Sequence, residues 1–317
     1  MEINETNRKE HVYPIYGRQF ISYRWFKPIL VGILWFVFYI LFSVVTIIAA
    51  GVTSPDPMAL FDSFGGGYDT LDTTSVAGII ANLGGVAIMI PALALAGLIV
   101  RDRPFSSYSS SRGGWNWGTF FKCLLIGILT VSVPMAAWVL IEGGTVDMKM
   151  TGAAFIALTI LGPLQCIAEE YIFRGLLMQT LGSWFRLPVI AVILQAAVFA
   201  MLHPYNMLGV AAIVVSGLTF GLAAWLGRGI EVSSALHIAN NMMAFYLVGR
   251  GMTSISSEST VQGLIFDIVV DVLYLVIVLA IGNKRGWFDK IRKDDKGKWN
   301  AKIEAKRAAK LAKHAAK

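Results

Sequence analysis

The sequence predicts an all-α, polytopic membrane protein with about eight spanning helices, on three observations. Hydrophobic residues make up 56% of the 317 positions and charged ones only 15%, whereas soluble domains are about one-quarter charged. Mean hydropathy is +0.64. Apolar runs recur along the chain at lengths that approach the roughly 20 residues a bilayer span needs.

Eight apolar segments follow in order, near 29–51, 76–100, 119–141, 153–178, 187–204, 208–227, 232–249 and 263–282. The first, second, third and eighth are clear. The fourth and seventh carry polar residues that weaken their hydropathy. The fifth and sixth are short and joined by "HPYNML". The polar start "MEINETNRKEHVYPIYGRQF" lacks a signal-peptide core and cleavage site, so the first run reads as a retained span. The expected organisation is an N-terminal segment over 1–28, a helical membrane domain over 29–282 and a basic tail over 283–317. No internal repeat or soluble domain is evident.

Loop charge predicts orientation. Arg8, Lys9, Arg18, Arg24 and Lys27 precede the first segment, and Arg101, Arg103 and Arg112 follow the second. The 52–75 loop instead carries Asp56, Asp62, Asp69 and Asp72. The Ser-rich 250–262 loop has one Arg and one Glu. The positive-inside rule then places both termini in the cytoplasm, as an even number of spans requires. The Lys-rich tail reads as an orienting cytoplasmic segment, partly helical or disordered, and not as a nucleic-acid contact. "GGG" at 65–67 reads as a flexible outer loop, since no strand precedes it and no helix-opening Lys follows, as a phosphate cradle requires. Cys123 and Cys166 lie in apolar runs and imply no disulfide framework.

Ionisable residues inside spans are costly and point to function. The fourth segment holds "AEEYIFRG" at 168–175. On a helix, Glu170 and Arg174 share a face four residues apart and can pair. Glu169 is turned away from Arg174 and is left to handle a proton. "VFAMLHP" places His203 four residues after Phe199, with Pro204 ending or kinking the helix. "ALHIANNMM" places His237 and Asn241 on one face, with Asn240 turned away. Glu169, His203, His237 and Asn241 could therefore meet. Such a set can deprotonate a water and stabilise an oxyanion. Equally, Glu169, His203 and His237 could be three ligands of zinc with an open fourth position. No H-E-x-x-H motif is present.

Taken singly, these residues have structural readings: a packed His, a Glu–Arg clasp, an interhelical Asn. Taken together, "EEYIFRG", "FAMLH" and "HIANN" resemble the three motifs of the CPBP family. These are the CAAX-processing and bacteriocin-processing intramembrane proteases, also called Abi or type II CAAX endopeptidases. The resemblance covers about 150–250. It implies a catalytic role for Glu169, motif partners in Glu170 and Arg174, and site roles for His203, His237 and Asn241. It leaves open a zinc enzyme or a metal-free glutamate mechanism.

The expected activity is hydrolysis of peptide bonds in membrane-associated peptides or proteins. Glu169 with His203 would activate water, and His237 with Asn241 would hold the oxyanion. The non-enzymatic alternative is a membrane scaffold or bacteriocin self-immunity protein using the same polar core. A transporter is disfavoured because no repeat symmetry is evident. The expected partners are a peptide or protein substrate and the bilayer. The compact chain and Lys-rich tail fit a bacterial plasma membrane.

One geometric conflict arises. The expected boundaries put Glu169 deep on an inward-running helix and His203 near the far end of an outward-running one. In an ideal bilayer these lie on opposite sides, unless Gly162-Pro163 or Pro204 breaks a helix.

Overall fold

The computed structural model describes residues 2–4, 7–63, 72–253 and 258–315. The "GGG" stretch and Asp69 lie outside the described residues. Among the described residues the chain is helical and contains no strand. Six helices are long and apolar enough to cross a membrane. They are α1 (Lys27–Thr53), α2 (Val76–Val100), α3 (Trp117–Ile141), α4 (Gly152–Phe185), α6 (Met207–Leu226) and α8 (Val261–Lys284).

Two of the eight expected segments differ. Helix α5 (Pro188–Met201) has only 14 residues, about 21 Å at 1.5 Å per residue, less than the bilayer core. Helix α7 (Ile230–Gly249) is long enough but carries Glu231, His237, Asn240 and Asn241. The tail forms α9 (Asp295–Ala315).

Backbone chemistry sets the helix ends. Thr151, Asn206 and Thr260 cap α4, α6 and α8, each side chain accepting from the N–H three residues on, which satisfies a free donor of the first turn. Helix α5 stops at Met201, ahead of Pro204. Pro163, by contrast, sits inside an unbroken stretch of α4. Neighbouring helices in a membrane can compensate the lost hydrogen bond.

The helices share two ends. At the end holding the described parts of both terminal segments, Lys27 Nζ donates to Arg101 O (3.3 Å), Trp184 Nε1 to Trp25 O (2.8 Å) and Arg112 to Trp287 O (2.9 Å). At the opposite end, Asn206 Nδ2 donates to Ser259 O (3.0 Å) and the Asp147 N–H to Arg250 O (2.8 Å). Most of α1 exposes apolar side chains such as Ile33, Phe36 and Ile40, which suits a surface facing lipid chains.

Small residues permit close helix contact. A Cβ on Gly217 of α6 would stand 3.0 Å from the Ala196 Cβ and 3.1 Å from its Cα on α5. Gly217→Leu is therefore expected to cost roughly 1–3 kcal/mol by overpacking, read as a lowered melting temperature in detergent. Gly217→Ala should have the smaller effect.

The N-terminal segment docks under the bundle. His11 is buried, and its Nδ1 donates to Ser111 O. Burial holds the imidazole below its usual pKa, and the nearby Lys296 and Arg228 charges push the same way. An unfolded segment binds its proton near pH 6.5, so stability is lost as pH falls below that value towards the folded-state pKa. Hydrogen-exchange protection over residues 8–23, corrected for the intrinsic rate at each pH, is expected to fall from about pH 7.5 to about pH 5.5. His11→Asn should remove that dependence.

Candidate active site

The geometric conflict over depth resolves through helix lengths. Helix α4 runs 34 residues, to Phe185, and not to about 178. Glu169 therefore lies sixteen residues before the α4 end, about 24 Å along the axis. His203 lies fifteen residues after the α5 start, about 22 Å along its own path. The tight turn between Phe185 and Pro188 brings the two to one level. The Pro163 break is not needed.

Glu169, Phe199, His203, His237 and Asn241 line one cavity of about 360 Å³. Its other walls include Asn82 on α2, Gln165 on α4 and Ser216 on α6. Asn240 lines it too, and its Nδ2 donates to Asn241 Oδ1 (3.2 Å). This corrects the expectation that Asn240 turns away. The cavity is wide enough at this level to touch neighbouring positions of α7.

Glu170 and Arg174 form the expected clasp, NH1 to Oε1 at 2.8 Å, with both side chains fully buried. The guanidinium lies over the Phe199 ring at 4.6 Å and the Phe220 ring at 5.0 Å, cation–π contacts that favour a desolvated cation. Its NH2 donates to Gly217 O (3.4 Å). The clasp therefore joins α4 to the aromatic faces of α5 and α6. Tyr171–Met178 is π-helical, so the regular helical wheel ends at Glu170. Such turns concentrate at functional sites.

Glu170 has a second task. His237 Nδ1 donates to Glu170 Oε1 (3.0 Å). His237 Nε2 lies 3.4 Å from Glu169 Oε2 and receives the Asn241 amide N–H at 3.2 Å. His237 is thus held between the two glutamates. With Nδ1 protonated, the neutral ring turns a lone pair towards Glu169 and Asn241. Glu169 differs from Glu170 in keeping 14% of its side chain exposed.

His203 has a defined tautomer. Its Nδ1 donates to Phe199 O (2.8 Å), and its ring packs on Phe199 and Tyr205. In the neutral form Nε2 is then an acceptor. The Phe-x-x-x-His spacing supplies both the carbonyl and the ring that orient His203.

Among the described residues, no group of three His, Cys, Asp or Glu side chains is gathered as metal ligands are. His237 directs one nitrogen at Glu170 and the other at Glu169 and Asn241. With Nδ1 on Glu170, the ring keeps Nε2 as an acceptor beside Glu169, the form in which a histidine can also ligate a metal.

Several polar residues escaped the sequence reading. Gln165 precedes Glu169 by four positions, so helical spacing already put it on the same face. Ser216 Oγ donates to Asp271 Oδ2 on α8 (2.8 Å). Asp267 and Asp271 are four apart in an apolar run, a signal of the same kind. Asn82 had no such signal, since its place at the cavity depends on how α2 packs.

Residues 151–243 match the family model described as type II CAAX prenyl endopeptidase Rce1-like. The matched span contains all three motifs and every cavity residue named above from Gln165 to Asn241. A protein of Bacillus subtilis (strain 168), named Uncharacterized protein YyaK, is 29% identical over 166 residues. The match covers 48% of this chain and 55% of that protein, so the chain spans about half the length of the curated relative it matches. No solved structure matches the chain.

Proposed function

We propose that this chain, whose residues 151–243 carry the CAAX-endopeptidase match, is an intramembrane endopeptidase that hydrolyses peptide bonds of membrane-associated peptides or proteins. The observation that carries the reading is the convergence of Glu169, His203, His237 and Asn241 on one cavity within the helix bundle.

The residues suggest a metal-free course. A water lies between the Glu169 carboxylate and His203 Nε2, which accepts one of its hydrogens. Glu169 takes the other proton as the water oxygen attacks the scissile carbonyl carbon. The developing oxyanion receives the Asn241 amide N–H. His237 Nε2 can take the proton from Glu169 across their 3.4 Å contact. Its new N–H then faces the oxyanion beside Asn241, and Glu170 balances the imidazolium charge from Nδ1. Collapse of the tetrahedral intermediate breaks the C–N bond, and the proton passes to the leaving amine.

The purified protein in detergent, given a peptide library, is expected to cleave it equally well with and without a metal chelator. Cleavage abolished by chelator and restored by zinc would replace this course with a metal-dependent one. No cleavage under either condition would favour the scaffold or immunity role.

A further inference from the structure

Among the described residues, the cavity extends towards one end of the bundle only, its open end. Its outermost walls are Thr73 ahead of α2, Tyr205 between α5 and α6, and Phe245 near the end of α7. All three belong to the end of the bundle opposite the terminal segments. No residue of the 101–116, 186–187 or 227–229 connections lines it.

The terminal end is plugged. Below Glu170, the Tyr171 ring stacks on Phe105 at 5.1 Å, and its hydroxyl pairs with Ser109 Oγ at 2.7 Å. The connection carrying them is buried from Ser107 to Arg112. Arg112 is tied to the fully buried Glu231 at 3.1 Å. The N-terminal segment seals it from beneath, with the Tyr13 hydroxyl donating to Tyr108 O.

Charge assigns the two ends to membrane faces. Short connections at the plugged end carry Arg101, Arg103, Arg112, Arg186 and Arg228, and α9 adds a run of lysines. The described loops at the open end carry Asp56, Asp62, Asp72, Glu142, Asp147 and Glu258 against only Lys149 and Arg250. Asp72 is ionised there: burial alone would raise its carboxyl, but hydrogen bonds from Ser75 and Thr74 outweigh this and hold it below the usual range. By the positive-inside rule the plugged end is cytoplasmic, so the open end faces the other compartment.

The lining also bears on what enters. Among the described residues, no Lys or Arg lines the cavity, so none is placed there to pair with a free terminal carboxylate. Asn82, Gln165, Asn240 and Asn241 instead offer amides, which can both donate to and accept from an extended backbone. Phe199, Phe220, Tyr205 and Phe245 supply apolar walls.

We infer that the site takes its substrate from the extracytoplasmic side, as an internal peptide segment exposed there, and not as a chain end presented from the cytoplasm. The word substrate rests on the endopeptidase reading above; the side of access does not.

Two measurements separate these claims. Cysteine is placed at the mouth (Tyr205→Cys) and, separately, on the tail (Lys310→Cys), with the parent's two buried cysteines as background. A membrane-impermeant maleimide is expected to label position 205 in intact cells and position 310 only in inside-out vesicles. Labelling of both positions from one face, position 205 from the cytoplasmic face, or position 205 from neither face would overturn the proposal. The segment cleaved best in the peptide library is then fused on either side of a single-span carrier. Only the extracytoplasmic fusion should be cut, and cleavage of the cytoplasmic one alone would also overturn the proposal. Labelling as expected with neither fusion cut would uphold the side of access and count against the endopeptidase reading.

Discussion

Glu169→Gln is expected to lower the rate of peptide cleavage by about 10²–10⁴-fold while leaving the melting temperature close to that of the parent. General acid–base groups contribute about that factor. The amide keeps the shape of the carboxylate but cannot take a proton from water. Stability should hold because Glu169 has no Arg partner and retains partial exposure to the cavity. Its polar contact, His237 Nε2, is still met by the Asn241 amide. Proteolysis in detergent and thermal unfolding, measured on the same preparation, read the two quantities apart. Undiminished cleavage by this variant would remove Glu169 from the chemistry. Loss of cleavage together with loss of folding would leave it a structural residue.

Arg174→Met should show the reverse pattern, a large loss of stability that drags activity down with it. Removing one partner of a buried ion pair costs about 3–5 kcal/mol, because the remaining charge is left uncompensated. Here Glu170 would stay fully buried, with only His237 to balance it, and the contacts of the guanidinium with Phe199 and Phe220 would vanish. The double variant Glu170→Gln, Arg174→Met removes both charges and should recover much of the stability. It should not recover activity, since Glu170 also holds His237 Nδ1. A single Arg174→Met variant that melts with the parent would show that the clasp contributes little. Full activity in the double variant would free His237 from any dependence on Glu170.

The residues of this site were legible in the sequence to differing degrees. Glu170 and Arg174 follow from i, i+4 spacing and from the cost of burying either alone. His237 and Asn241 share a helical face for the same reason, and both line the cavity. The same wheel misplaced Asn240, because a face is a direction and a cavity has width. It also could not anticipate that Glu170 serves His237 as well as Arg174. That contact joins positions 67 residues apart, beyond the reach of any local pattern. The mismatch between Glu169 and His203 came from ending the fourth segment near 178. The amphiphilic stretch "LMQTLGSWF" lowers the hydropathy there, yet the helix continues through it because polar groups such as Gln179 find buried partners, Arg103 and the Ser107 carbonyl.

Composition and periodicity alone establish an all-helical membrane chain, since a bilayer demands long apolar runs and every backbone polar group must be satisfied within a helix. They also establish that charged residues in those runs are costly and must have partners or a task. Tertiary packing decides the rest. A 34-residue α4 beside a 14-residue α5 sets Glu169 and His203 at one depth. The 101–116 connection, buried from Ser107 to Arg112, closes one end of the cavity. Those outcomes depend on contacts between segments far apart in the chain, and hydropathy, which sums over neighbours, carries no information about them.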